Sequence, residues 1–124
     1  MVAGCAMLVV GGCAVRPGPA GATASRFDAA IGHSDWDAAC AMLAPATRDD
    51  IEQSAGSSCP AALEEEGLEQ AGPVLRVEVF GTMAQVRMGE DTVFLARFPG
   101  GWKVWAAGCS PQTGRPYDCR LQGG

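Results

Sequence analysis

One histidine, His33, sits between Gly32 and Ser34-Asp35, so a base, a hydroxyl and a carboxylate occupy consecutive positions. A nucleophilic triad needs its base between the nucleophile and an orienting acid. Three chain neighbours do not readily take up that geometry, so the segment reads as a capping turn. Glu64, Glu65 and Glu66, with Asp49 and Asp50, offer hard oxygens to a cation. They lack the alternating ligand spacing of a calcium loop and read as solvated helix faces. Glu78 is the one acid well inside a predicted strand, where a carboxylate in a pocket could serve as a general base. It alternates with Leu75, Val77 and Val79, and if those face a core, Glu78 faces water beside Arg76 or Arg87. The expectation is therefore no catalytic residue, no metal site and no cofactor.

Cysteine chemistry is better represented, with thiols at positions 5, 13, 40, 59, 109 and 119. The first lies within a short apolar run, Val2 to Val10, and the second follows it after Gly11 and Gly12. That run is below the roughly 20 residues a bilayer span requires and suits the apolar segment of an export signal ending in small residues. Val10-Gly11-Gly12-Cys13 resembles the bacterial lipobox, an aliphatic residue, two small residues and a cysteine. The resemblance implies that residues 1–12 are a signal peptide and that Cys13 becomes the lipidated first residue of a protein anchored on the extracytoplasmic face of the cell membrane. Val2-Ala3-Gly4-Cys5 fits the same pattern with almost no apolar run before it, so Cys13 is preferred to Cys5. Proline and glycine through residues 13–25 predict a flexible tether.

In an exported chain, the even number of cysteines that remains, Cys40, Cys59, Cys109 and Cys119, predicts two disulfides. Four cysteines allow three connectivities, and sequence alone does not choose among them. Cys40 with Cys59 and Cys109 with Cys119 is favoured because turn-rich sequence separates the members of each pair. A zinc site is the competing reading, but the short Cys-x-x-Cys spacing usual for zinc is missing.

The elements that must position these residues follow from composition and periodicity. The chain has 124 residues, 48% hydrophobic and 19% charged, with a net charge of -5. This composition supports one folded domain, placed at 26–120. Clustered lysines and arginines are missing, which argues against nucleic acid as a partner. Trp36, Ala39, Cys40 and Leu43 recur at helical spacing, with Ser34 as the expected cap and Pro45 as the stop. A short helix carrying Phe27, Ala30 and Ile31 is expected before it. Two more are expected after it, one beginning at Thr47 and one over 60–66 with Ser58 as cap. From Val74 the period becomes two, and four strands separated by Gly81-Thr82, Gly89-Glu90-Asp91 and Pro99-Gly100-Gly101 predict an antiparallel meander. The fold class is α+β, with N-terminal helices packed on a curved four-stranded sheet.

This order, with the phrases Ser34-Asp35-Trp36-Asp37-Ala38-Ala39-Cys40 and Phe94-Leu95-Ala96-Arg97-Phe98-Pro99-Gly100-Gly101-Trp102-Lys103-Val104, resembles small actinobacterial lipoproteins with an NTF2-like α+β cone. The resemblance implies a pocket between the helices and the concave face of the sheet, which Trp36, Phe94, Phe98, Trp102 and Trp105 could line. It implies a non-catalytic module that binds an unidentified partner protein or an apolar ligand. A small pocket enzyme of the isomerase or dehydratase kind is the second reading.

Overall fold

Helical periodicity gives way to strand periodicity across Gly67 to Pro73, and the architecture changes there too. In a computed structural model that describes residues 18–123, helices α1 (Gly18–Gly32), α2 (Trp36–Ala41), α3 (Pro45–Ala55) and α4 (Cys59–Glu66) precede strands β1 (Val74–Phe80), β2 (Met83–Met88), β3 (Thr92–Phe98), β4 (Gly101–Gln112) and β5 (Arg115–Gln122). The fold is α+β. Cys5, Cys13 and the apolar run lie outside the described residues.

Residues 18–25, expected to belong to a flexible tether, are helical, and residues 13–17 lie outside the described residues. Ala20, Ala24, Phe27 and Ile31 recur at i, i+4, i+7 and i+11 and are all buried, so small side chains let α1 lie close against the sheet. Pro19 falls in the first turn, where its missing N–H breaks no helical bond. Burial of this stripe outweighs the low helix propensity of its glycines. The domain accordingly starts before residue 26.

The helix caps differ in detail from expectation. Asp35, not Ser34, caps α2, its Oδ1 accepting from the Ala38 N–H at 3.2 Å. Ser34 takes a left-handed φ of 55° in the turn between α1 and α2. His33 Nδ1 donates to the Ala29 carbonyl at 2.7 Å and closes the end of α1, a capping role. Pro45 opens α3, two residues ahead of Thr47. The Ser58 side chain makes no cap bond; the Glu52 carboxylate of α3 accepts from the Cys59 N–H at 2.9 Å and holds α4 beside it.

The sheet is an open antiparallel meander of five strands in the order β1-β2-β3-β4-β5. Four were expected because the segment between Cys109 and Cys119 reads as turn-rich. Pro111 falls at the register shift between Ser110 and Gln112, and Pro116 lies on the edge strand β5, the two places where a strand tolerates proline. β5 leaves β4 near its middle, and residues 42–44 take over the vacated edge. There Ala44 N–H donates to the Val104 carbonyl and Val104 N–H to the Met42 carbonyl, both at 2.8 Å.

The helices cover one face. Phe27, Ile31, Leu43, Ile51 and Leu63 meet Val86, Val93, Leu95, Val104 and Leu121 in the core. Leu75 and Val79, expected against the helices, are exposed. The register runs from Val74 opposite Met88 to Arg76 opposite Arg87, so Leu75 is the extra residue of a bulge. Val79 shares the face of its buried partner Ala84 but lies beyond the reach of the helices.

Candidate functional site

The concavity between helices and sheet is nearly filled. Phe27 and Ile31 of α1, Leu68 and Ala71 of the link, and Met88 and Val93 of the sheet surround about 10 Å³, room for about one water. Three acidic residues border it; Glu69 is exposed, and Asp28 and Asp91 are committed to backbone. Asp28 accepts from the Ala71 and Gly72 N–H groups and ties the link to α1. Asp91 accepts from Thr92 N–H and Cys109 N–H on Oδ1, both at 2.7 Å, and from Gly108 N–H on Oδ2 at 2.9 Å. It thereby joins the β2-β3 turn to β4. Neither acid was singled out in the sequence. Asp91, in the turn directly before a strand, carries the usual signal of a side chain bonding nearby backbone; Asp28 shows only as an acid inside an apolar helical stripe.

A wider groove lies on the opposite face, which no helix covers among the described residues. It measures about 320 Å³ and is mainly apolar, with Met83, Phe94, Trp105, Pro116 and Tyr117 among its walls. Phe94 alternates with buried Val93 and Leu95 and so points away from the helices. Trp105 is the extra residue between the pairs Phe94 with Ala106 and Leu95 with Val104. Tyr117 of β5 packs edge-on to Phe94, ring centroids 5.2 Å apart and planes at 70°. Tyr117 and Met83 were not anticipated, the first because β5 was not expected and the second because methionine carries no pocket signal.

The five aromatic residues expected in one pocket are therefore divided. Phe94 and Trp105 line the groove. Trp36 packs against the core. Trp102, at core parity on β4, packs there too and borders a second groove with Arg26 and Lys103, while the Arg97 guanidinium stacks 5.2 Å from its ring. Phe98 closes β3 opposite Gly101 and borders neither groove. Strand alternation sends these side chains to different faces, which a shared aromatic character does not reveal.

Glu78 is half-exposed, opposite Gln85, and its Oε2 accepts from Arg76 Nη2 at 2.8 Å. Cys40 and Cys59, with sulfurs 2.05 Å apart, join α2 to α4; Cys109 and Cys119, at 2.10 Å, stand opposite each other on β4 and β5. Both are the favoured pairs. Among the described residues, no three His, Cys, Asp or Glu side chains converge as metal ligands, and no helix is long and apolar enough to cross a membrane. Compared with protein-family models, curated proteins and solved structures, the chain matches none.

Proposed function

We propose that this chain is an extracytoplasmic lipoprotein with an NTF2-like domain, anchored to the cell membrane through Cys13, and that it binds an apolar ligand or an apolar segment of a partner protein rather than catalysing a reaction. The groove of Phe94, Trp105, Tyr117 and Met83 carries this reading. A concave, mainly apolar surface with a few polar groups is the usual form of a small-molecule or side-chain site. Catalysis is disfavoured because the cavity between helices and sheet has room for about one water, Asp28 and Asp91 are occupied by backbone donors, and Glu69, the third acid at its border, is exposed. The lipobox-like Val10-Gly11-Gly12-Cys13 and the two cysteine pairs suit an oxidising exterior. With α1 starting at Gly18, only residues 14–17 separate Cys13 from the helix, a reach of at most roughly 18 Å however they are arranged. The domain would stand against its membrane.

Titration with the fluorescent apolar probe anilinonaphthalene sulfonate tests the groove. Saturable binding to the cooperatively folded protein, weakened roughly tenfold or more in Phe94→Ala and Tyr117→Ala, is expected; no saturable binding, or equal binding by folded variants, overturns the site. Metabolic palmitate labelling tests the anchor separately. Label should be lost in Cys13→Ser and kept in Cys5→Ser, and the reverse pattern moves the anchor to Cys5.

A further inference from the structure

Strand β1 forms one edge of the sheet, paired with β2 on one side and with no strand on the other among the described residues. Among the described residues, the large hydrophobic side chains that stand most exposed all belong to it: Leu75 at 52%, Val79 at 55% and Phe80 at 59%. An edge of this kind offers a row of free backbone donors and acceptors to another strand. Proteins ordinarily blunt it with lysine, proline, a bulge or brevity, and the one bulge of β1, at Leu75, lies near its start and leaves Arg76 to Phe80 regular. β1 has seven residues, neither proline nor lysine, and charges that cancel, Arg76 against Glu78.

The order of residues about Val77 is self-complementary. When two copies of the regular stretch Arg-Val-Glu-Val-Phe run antiparallel with Val77 opposite Val77, Arg76 meets Glu78 and Val79 comes alongside the bulged Leu75. Directly opposed residues share a face with Cβ atoms about 4.5–5.5 Å apart, so the Arg76–Glu78 pair within each of the two strands is exchanged, two for two, for pairs across the interface. Registers centred one residue away set Arg76 against Arg76 or Glu78 against Glu78, which like-charge repulsion disfavours. A twofold axis through Val77 closes the assembly at two copies. We infer that β1 pairs antiparallel with β1 of a second copy of this chain, in register about Val77, merging two five-stranded sheets into one of ten.

Sedimentation velocity on the full chain carrying Cys5→Ser and Cys13→Ser tests this without dependence on a lipid anchor. A concentration-dependent monomer-dimer equilibrium is expected. Arg76→Glu and Glu78→Arg should each raise the dissociation constant roughly tenfold, two attractive pairs having become repulsive, and the exchange Arg76→Glu/Glu78→Arg should restore it. In the same background, Val77→Cys should give a disulfide-linked dimer under mild oxidation and Val79→Cys should not. A monomer at every concentration, folded single variants that dimerise like the parent, or cross-linking at position 79 in place of 77 would each overturn the inference.

Discussion

Asp91 offers the sharpest distinction between a carboxylate that builds the fold and one reserved for chemistry. Its two oxygens take three backbone N–H bonds, from Thr92, Gly108 and Cys109, and both Thr92 and Cys109 are buried, so water cannot easily replace the carboxylate there. Gly108 sits at a φ of 68°, and any Cβ at that position would lie 2.9 Å from Leu68 Cδ2 and 3.1 Å from Arg120, so the backbone is held tightly. Hydrogen bonds to a charged group are worth about 1.5–3 kcal/mol each, and a stranded buried donor costs about 1–3 kcal/mol. These contributions overlap in a shared network, which puts the loss in Asp91→Ala at roughly 3 kcal/mol. Asp91→Asn can keep its oxygen on Thr92 and Cys109 but turns an amide donor toward the Gly108 N–H, a loss of about 1–2 kcal/mol. At about 4–8 °C per kcal/mol for a domain of this size, the melting temperature should fall by roughly 15 °C in the alanine variant and by about half that in the asparagine variant. Thermal and urea unfolding followed by circular dichroism, with an unchanged urea slope, gives the measurement. An alanine variant as stable as the parent, or more stable, refutes the reasoning and marks Asp91 as a group the fold carries for another purpose.

Two further predictions concern stability. Cys109→Ser/Cys119→Ser and Cys40→Ser/Cys59→Ser should each lower stability by roughly 3 kcal/mol on the loop-entropy estimate, while non-reducing peptide mapping of the parent should recover the two linked peptide pairs and no others. Glu78→Gln should change stability by no more than about 0.5 kcal/mol, as befits a half-exposed strand side chain; a clear rise in melting temperature would indicate a carboxylate held at a cost and reopen the case for a pocket enzyme.

The parts of the structure legible in the sequence are those governed by short-range periodicity. The α2 stripe, the alternation in β2 and β3 and the three hairpin turns come from neighbours a few residues apart, whereas the cysteine pairs, 19 and 10 residues apart, are only favoured by the turn-rich sequence between them. Where tertiary packing decides, the reading departs from the structure. Alanine and glycine around α1 resemble a linker until the sheet buries them, and the prolines of β4 and β5 resemble turns until a bulge and an edge accommodate them. Leu75 and Val79 obey strand alternation, yet one lies in a bulge and the other past the end of the helical cover. The groove brings together Met83, Phe94, Trp105 and Tyr117 from four strands, and only a register including β5 and the extra residue at Trp105 sets them on one face. Asp28 binds Ala71 and Gly72, and Asp91, besides its neighbour Thr92, binds Gly108 and Cys109, distant partners that no local pattern announces.

The two bridges share a property that bears on how the chain matures. Of the four described cysteines, each is joined to its nearest neighbour along the polypeptide, Cys40 to Cys59 and Cys109 to Cys119, and neither bridge links the helical half to the sheet. A chain delivered amino end first exposes Cys40 and Cys59 while Cys109 is still to come, so an oxidant that joins these thiols in order of arrival makes the native set directly. Interleaved bridges would have to be reached by thiolate attack on earlier, mistaken ones through mixed disulfides. Were the chain exported as proposed, an oxidase without an accompanying isomerase would suffice for these two bridges.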